Sequence, residues 1–204
     1  NVNSFPMVVE LASGGDVGTG KVSIPHDAKS RNGGVMYTDY ALGRFFAEAS
    51  KQPWFANTIF LITADHCASS AGRTEIPLEK YHIPALIYAP GFVEPQHVGG
   101  IVSQIDLMPT LLSLLNMSYD SHFYGRSIYD EGYVNRAFIA TYQDLGYLEG
   151  DVFTILSPVR RFEQYRVVPT EDNPHNLEPM ETENPEQVSR AIGYYQTSSA
   201  WNKR

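Results

Sequence analysis

The most constraining feature of the sequence is a nearly unbroken apolar run at residues 57–64, NTIFLITA. A strand with one solvated face alternates apolar and polar residues, whereas a strand buried on both faces is apolar throughout. Strands of the second kind occur almost only in parallel sheets that are covered by helices on both sides. The run therefore predicts a buried strand of a parallel sheet.

The segments around this run alternate between strand and helix patterns. Apolar, β-branched stretches predict strands at residues 5–11 and 83–90. An apolar stripe at helical spacing, preceded by the loop signal SRNGG, predicts a helix from residue 35 to about residue 50. Another helix is predicted at residues 103–115, with Asp106 as a local cap near its start. Such alternation indicates an α/β fold with a mainly parallel sheet flanked by helices.

The carboxyl-terminal part of the chain has a different pattern. Short strand-like segments joined by glycine-containing turns predict a small antiparallel extension, at residues 137–142, 152–156 and 165–168. The next stretch, 169–183, is acidic and contains proline, which is typical of an exposed linker. Asn184 and Pro185 then predict the cap and first residue of a last helix. We expect three parts, at residues 1–130, 131–168 and 169–204.

Composition excludes some classes of function. The formal net charge is −8, and no Lys/Arg cluster long enough to follow a phosphate backbone is present, so we expect no nucleic-acid partner. The single cysteine, Cys67, allows no intrachain disulfide. No run of about 18 apolar residues occurs, so this sequence contains no predicted membrane span. The abrupt start on a strand-like segment suggests a fragment of a longer protein.

Asp65 and His66 are the first candidates for chemistry, because they directly follow the apolar run. Doubly wound sheets bind ligands at the carboxyl ends of their strands. A carboxylate oxygen beside an imidazole nitrogen suits Mn²⁺, Zn²⁺ or a similar divalent ion. Spacing alone leaves a second interpretation open, in which Asp65 caps the next turn and His66 is a surface histidine.

Four blocks in fixed order favour the metal-site interpretation. They are residues 37–46, 54–66, 81–91 and 104–112. Together they resemble the carboxyl-terminal half of the sulfatase-like branch of the alkaline phosphatase superfamily. Within that branch the chain looks most like the Gram-negative, lipoteichoic-acid-synthase-like phosphoglycerol transferases. The resemblance covers roughly residues 5–126, so it implies that residues 1–130 are half of a catalytic domain.

The resemblance also implies an activity and a location. In this family an Asp-His pair ligates a divalent metal, commonly manganese, and Asp65 and His66 match that pair. The nucleophile and the other acidic ligand would lie before residue 1, in a missing amino-terminal part, so the fragment alone would be inactive. The family implies anionic ester substrates, including glycerophospholipid head groups and glycans. It further implies an inner-membrane protein with a periplasmic catalytic domain.

Other residues could assist such a site. Relatives commonly carry a substrate-contacting histidine near residues 10–16, and this chain has none there. His26 is the nearest alternative, although a plain loop position is an equal interpretation. His82, Lys80 and Arg73 follow the metal pair and could hold anionic oxygens or lie in a second shell; each is also compatible with a structural or solvated position. We assign Cys67 no role.

Three functional hypotheses result. The first is part of a metal-dependent sulfatase or phosphoglycerol-transferase-type enzyme that acts on phosphate or sulfate esters through a covalent intermediate. The second is a non-catalytic or degenerate half-domain with a structural or binding role, which the absent histidine and nucleophile favour. The third is a two-metal phosphatase or mutase relative in which His82 binds a second ion.

Overall fold

The computed structural model describes residues 2–7, 31–67 and 76–201. The chain divides into two compact units. One unit comprises residues 1–6, 63–85 and 98–204, and the other comprises residues 7–62 and 86–97. The α-helices are α1 (Arg31–Ala49), α2 (Leu107–Leu114) and α3 (Pro185–Trp201). The strands are β1 (Val2–Met7), β2 (Phe60–Thr63), β3 (His82–Tyr88), β4 (Gln96–Val102), β5 (Arg136–Ala140), β6 (Leu145–Glu149), β7 (Val152–Ser157), β8 (Arg161–Val167) and β9 (Leu177–Pro179).

The first sheet has the strand order β2-β3-β1-β4. Strands β1 and β3 pair in parallel, with Val2 opposite His82 and Ser4 opposite Pro84. Parallel neighbours need a crossover connection, and α1 lies between β1 and β3 in the chain. The α/β class with a parallel sheet is therefore confirmed. Strand β4 was not predicted, because its sequence QHVGGIV is polar and glycine-rich.

Three boundaries differ from the sequence predictions. Helix α1 begins at Arg31, so most of the SRNGG loop signal is helical. Strand β2 is confined to Phe60–Thr63, because a 3₁₀ turn occupies Phe55–Asn57. Its residues are half-buried or exposed, so the prediction of burial on both faces is wrong. Of the strand predicted at 5–11, residues 5–7 lie in β1 and the rest fall outside the described residues.

The unit formed by residues 7–62 and 86–97 contains a cluster of aromatic rings. Phe46 packs edge to face against Phe60 and Tyr88, with ring centroids 5.0 and 5.3 Å away. Phe60 stacks on Tyr88 with a centroid separation of 6.0 Å. Such pairs contribute about 0.5–1.5 kcal/mol each beyond their buried area. They anchor the carboxyl-terminal end of α1 within this unit, whereas Val35 and Tyr37 near its start are exposed.

The other unit contains an antiparallel meander, in the order β5-β6-β7-β8-β9. Its hydrophobic core combines residues from the loop before β3 with inward-facing residues of the meander: Ile76, Leu78, Tyr81, Ala137, Ile139, Leu148 and Phe153. Strand β6 lies in the segment between 142 and 152, which we predicted as a glycine-containing turn, and Gly146 is one of its residues. In the structure, that glycine lies in the strand, where a Cβ would approach the Phe153 ring to 2.8 Å.

The last strand and helix test the prediction for residues 169–204. Strand β9 pairs with β8, with Arg166 opposite Glu178. Part of the stretch 169–183, which we predicted as an exposed linker, therefore belongs to the sheet. Helix α3 begins at Pro185, and the Asn184 side chain accepts a 3.1 Å hydrogen bond from the Gln187 amide, as predicted for its cap. None of the helices in the described ranges is both long enough and apolar enough for a transmembrane segment.

Candidate functional site

Asp65 and His66 lie just after β2, separated from it by Ala64, and their side chains are 87% and 66% exposed. The Asp65 side chain turns back on the chain, where its Oδ1 accepts a 3.0 Å hydrogen bond from the His66 amide. Its other oxygen, Oδ2, is 3.3 Å from His66 Nε2. The two side chains therefore face one point in front of the strand end.

The imidazole of His66 has a defined orientation. Its Nδ1 is 2.9 Å from the Cys67 carbonyl oxygen. A carbonyl only accepts, so Nδ1 carries a proton and Nε2 faces the Asp65 carboxylate. A carboxylate oxygen and a ring nitrogen at this separation need a proton or a cation between them, because two acceptors repel each other.

The separation of these donors fits one bound cation. Two ligands bonded at about 2.1 Å to the same ion lie about 3.0–3.4 Å apart, depending on whether the ion is octahedral or tetrahedral. The Oδ2–Nε2 distance is 3.3 Å. The Nδ1–H bond to a carbonyl is also the arrangement that usually fixes a metal-ligating histidine. Asp65 and His66 therefore fit as two neighbouring ligands of a divalent metal.

Hydrogen bonds from two other segments hold this loop in place. The Ala64 amide donates to the Pro84 carbonyl of β3 at 3.4 Å, and the Thr63 hydroxyl reaches the same carbonyl at 3.2 Å. Gln104 Nε2 donates to the Ala64 carbonyl at 3.1 Å. The residue directly before Asp65 is thus tied on both its amide and its carbonyl. Sequence reasoning missed Gln104, which lies 40 residues away in the chain.

Cys67 and Lys80 lie near the Asp65-His66 pair. The Cys67 thiol donates to the His82 carbonyl at 2.8 Å. Burial raises the pKa of this thiol, although the positive charge of Lys80 acts in the opposite direction. A neutral thiol is a poor nucleophile. The structure therefore gives Cys67 the role of a tether between the loop that contains Asp65 and His66 and strand β3, and it places the Lys80 charge near that thiol.

His82, at the start of β3, contacts a histidine that our sequence reasoning missed. Its Nδ1 is 3.3 Å from Nε2 of His175, and the two rings are nearly perpendicular. Burial, and then the adjacent His175, lower the pKa of His82. His175 lies 93 residues further along the chain, in the stretch interpreted as a linker. No spacing signal in the sequence connects the two histidines.

Asp106 has a larger role than the local cap we predicted. It is fully buried and accepts the Ser103 amide at 3.3 Å, as a cap does. Its carboxylate also forms a two-pronged ion pair with buried Arg136, at 3.0 and 3.1 Å. The Tyr133 hydroxyl and the Arg126 amide donate to it at 2.9 and 2.8 Å. Asp106 is therefore a structural centre that fixes the segment containing Gln104.

The remaining candidates, His26, Arg73 and residues 10–16, lie outside the described residues. Within residues 31–67 and 76–201, no group of three or more His, Cys, Asp and Glu side chains is arranged to hold a metal. The described residues thus supply two adjoining donors, Asp65 and His66.

Comparisons with known proteins identify the family. The family model described as Sulfatase matches residues 10–117, which is more than half of the 204 residues. Arylsulfatase K of Gallus gallus is 27% identical over 96 residues, covering 45% of this chain and 18% of that protein. The matched region includes the loop that contains the Asp65-His66 pair.

Solved structures agree with this assignment. An alkaline phosphatase superfamily protein from Vibrio parahaemolyticus superposes with a TM-score of 0.76 at 29% identity, over 91% of this chain and 45% of that one. Ps i-CgsB, solved with k-i-k-neocarrahexaose, gives a TM-score of 0.61 at 16% identity, over 85% of this chain and 43% of that one, which shows a shared fold alone. The chain spans less than half the length of each of these proteins. It belongs to the sulfatase family of the alkaline phosphatase superfamily.

Proposed function

We propose that this chain is part of a metal-dependent enzyme that hydrolyses or transfers a phosphate or sulfate ester through a covalent intermediate. Membership of the sulfatase family supports an esterase-type activity. The observation that carries the metal dependence is the pairing of Asp65 Oδ2 with His66 Nε2 at 3.3 Å, with Nδ1 held by the Cys67 carbonyl. Enzymes of this superfamily typically use divalent metal ions.

Asp65 and His66 would hold the ion, and Mn²⁺ is the ion we propose. When bound, it supplies a Lewis acid that neutralises the ester oxygens during attack by a hydroxyl nucleophile. The chain's own contribution is to present one carboxylate and one correctly oriented imidazole on a loop braced by Gln104 and Pro84. We expect the nucleophile and the other ligands in an amino-terminal part of the protein, so this chain alone should be inactive.

The substrate class is an anionic ester, either a glycerophospholipid head group or a sulfated or phosphorylated glycan. We propose a phosphoglycerol-transferase-type reaction as the first assignment and sulfate-ester hydrolysis as the second. The proposed setting is an inner-membrane protein with this domain in the periplasm, which protease accessibility in spheroplasts would test. The nucleophile separates the two reactions, because a threonine favours phosphoryl transfer whereas a modified cysteine or serine favours sulfate hydrolysis.

The test compares the whole protein with Asp65→Asn and His66→Gln variants after removal of metal. Mn²⁺ affinity is measured by calorimetry, and activity is measured with nitrophenyl phosphodiester and nitrophenyl sulfate substrates. Loss of an outer-shell partner costs about 10–100-fold in metal affinity, so loss of a ligand should cost at least about 100-fold. Asp120→Asn, which changes an exposed aspartate, is the matched control and should bind like wild type.

Two results would contradict the proposal. Unchanged Mn²⁺ affinity in both variants would remove Asp65 and His66 from the metal site. A whole protein that binds no divalent ion and cleaves neither substrate would favour the non-catalytic half-domain. The isolated 204-residue chain should bind Mn²⁺ weakly, because two donors leave most of the coordination shell to water.

A further inference from the structure

A second pair of potential ligands lies outside the proposed Mn²⁺ site. His82 is the first residue of β3, and His175 lies in the connection between β8 and β9. Both belong to the same compact unit of the structure. Their contact joins segments that are 93 residues apart in the chain.

The geometry of this pair matches two ligands of one tetrahedral ion. Imidazole nitrogens bonded at about 2.0–2.1 Å to such an ion lie about 3.4 Å apart, and their ring centroids lie about 5 Å apart. The nitrogens of His82 and His175 are 3.3 Å apart, and the centroids are 5.2 Å apart.

The chemistry of the pair favours a borderline transition metal. Burial and the neighbouring ring lower the pKa of His82, which favours the neutral form that ligates metals. Two imidazoles suit Zn²⁺, Co²⁺, Ni²⁺ or Cu²⁺, whereas Mn²⁺ and Mg²⁺ prefer oxygen donors. The donor set therefore differs from the mixed oxygen and nitrogen pair of Asp65 and His66.

We propose that His82 and His175 bind a divalent transition-metal cation of the Zn²⁺ type, separate from the ion at Asp65 and His66. Water would fill the remaining coordination positions. The bound ion clamps the β8–β9 connection to the start of β3, in addition to the meander's own pairing of β8 with β9. The backbone carbonyl of His82 also accepts a hydrogen bond from the Cys67 thiol. The clamp therefore steadies the strand that holds the loop of Asp65 and His66. This site stands independently of the proposed enzymatic function.

The experiment measures bound Zn²⁺ per chain in the metal-stripped whole protein, by equilibrium dialysis and elemental analysis. We expect the His175→Ala variant to hold one ion fewer than wild type. Asp65→Asn should retain the ion at the histidine pair, and the Asp65→Asn, His175→Ala double variant should lose both. His122→Ala is the matched control, because His122 is another histidine of this unit and its ring contacts Trp201 instead.

A second readout distinguishes ligation from a folding defect. Zn²⁺ should raise the thermal midpoint of Asp65→Asn, and this shift should disappear in the double variant. His175→Cys should retain the ion, since a thiolate also ligates Zn²⁺, whereas His175→Phe should lose it. Equal Zn²⁺ stoichiometry in wild type and His175→Ala would overturn the proposal, as would loss of binding in His175→Cys with the fold intact by circular dichroism. Loss of Zn²⁺ only on mutation of Asp65 would overturn it too, without affecting the proposed enzymatic function.

Discussion

The Asp106 carboxylate connects three segments of the chain. It accepts hydrogen bonds from Ser103 at the start of the α2 region, from Arg126 in the following loop, and from Tyr133 and Arg136 just before and within β5. Burial by itself lowers the pKa of Arg136, but the charge and hydrogen bonds of Asp106, together with Tyr194 and Tyr133, outweigh burial, so the net shift is upward. A buried pair of this kind is costly to break from one side, because the remaining charge has no counterion.

We expect Asp106→Asn to destabilise the protein by about 3–5 kcal/mol, because Arg136 would remain buried without a counterion. The free energy of unfolding from urea denaturation measures the effect. The matched control is Asp130→Asn, which removes a half-exposed partner of Arg126 at 3.5 Å. That surface pair should contribute less than about 1 kcal/mol. Equal losses in the two variants would show that Asp106 is not the structural centre described above.

At the scale of elements, Gly125 permits the close approach of two chain segments. A Cβ at this position would lie 1.9 Å from the Ile105 carbonyl oxygen and 2.5 Å from its carbon. Because those atoms belong to the backbone, no side-chain rotation can relieve the overlap. The next residue, Arg126, donates its amide to Asp106 at 2.8 Å. Gly125 thus allows the loop to approach the 3₁₀ turn Gln104–Asp106, which leads into α2.

We expect Gly125→Ala to cost about 3 kcal/mol or more, because the backbone must move to accommodate the methyl group. Gly193→Ala is the control. Gly193 lies within α3, and a Cβ there would meet no atom within 4 Å. An alanine should therefore stabilise that helix by about 0.5–1 kcal/mol. Thermal unfolding of both variants gives the comparison. A Gly125→Ala variant as stable as wild type would disprove the close packing.

At the scale of the whole molecule, stability depends on pH through groups whose pKa differs between the folded and unfolded chain. The pKa of His82 is lowered by burial and by His175. Between that lowered value and the ordinary imidazole value of about 6.5, the unfolded chain binds more protons. The stabilisation from neutral His82 is therefore fully present above about pH 6.5 and is lost as the pH falls toward the folded pKa.

His82→Gln in chelator-containing buffer tests this linkage. The groups near His82 are the His175 ring, the Cys67 thiol and, beside that thiol, Lys80. The difference in unfolding free energy between wild type and His82→Gln should shrink from about pH 8 to about pH 5. The difference in unfolding free energy between wild type and Gln143→Ala, which alters no titratable group, should stay constant over the same pH range. A His82→Gln difference that grows as the pH falls would contradict the lowered pKa.

Elements with a strong local signal were predicted well. The start of α3 follows from Asn184 and Pro185, and β3 and β7 follow from short β-branched runs. Strands β4, β6 and β9 were missed, because glycine, proline and polar residues hide them in the sequence. Their strand conformation depends on partners in the sheet, which local propensity does not specify.

The residues of the candidate site also fall into those predicted from the sequence and those missed. Asp65 and His66 were predicted as site residues because they lie just after β2 and within blocks that resemble the sulfatase-like branch. Gln104, Arg136 and His175 were missed. Gln104 and His175 contact Ala64 and His82 across 40 and 93 residues, and Arg136 pairs with Asp106 across 30. A sequence pattern holds no distance information at such separations.

The sequence by itself determined the α/β class and the sulfatase-like family, and it predicted the adjacent pair Asp65 and His66, because these depend on hydrophobic patterning and on residues next to each other in the chain. Only the tertiary structure decided how the donors are oriented, which segments brace their loop, and that His82 meets His175. These features arise when folding brings distant backbone carbonyls and side chains within hydrogen-bonding distance. Burial then changes their charge state, which no local pattern records.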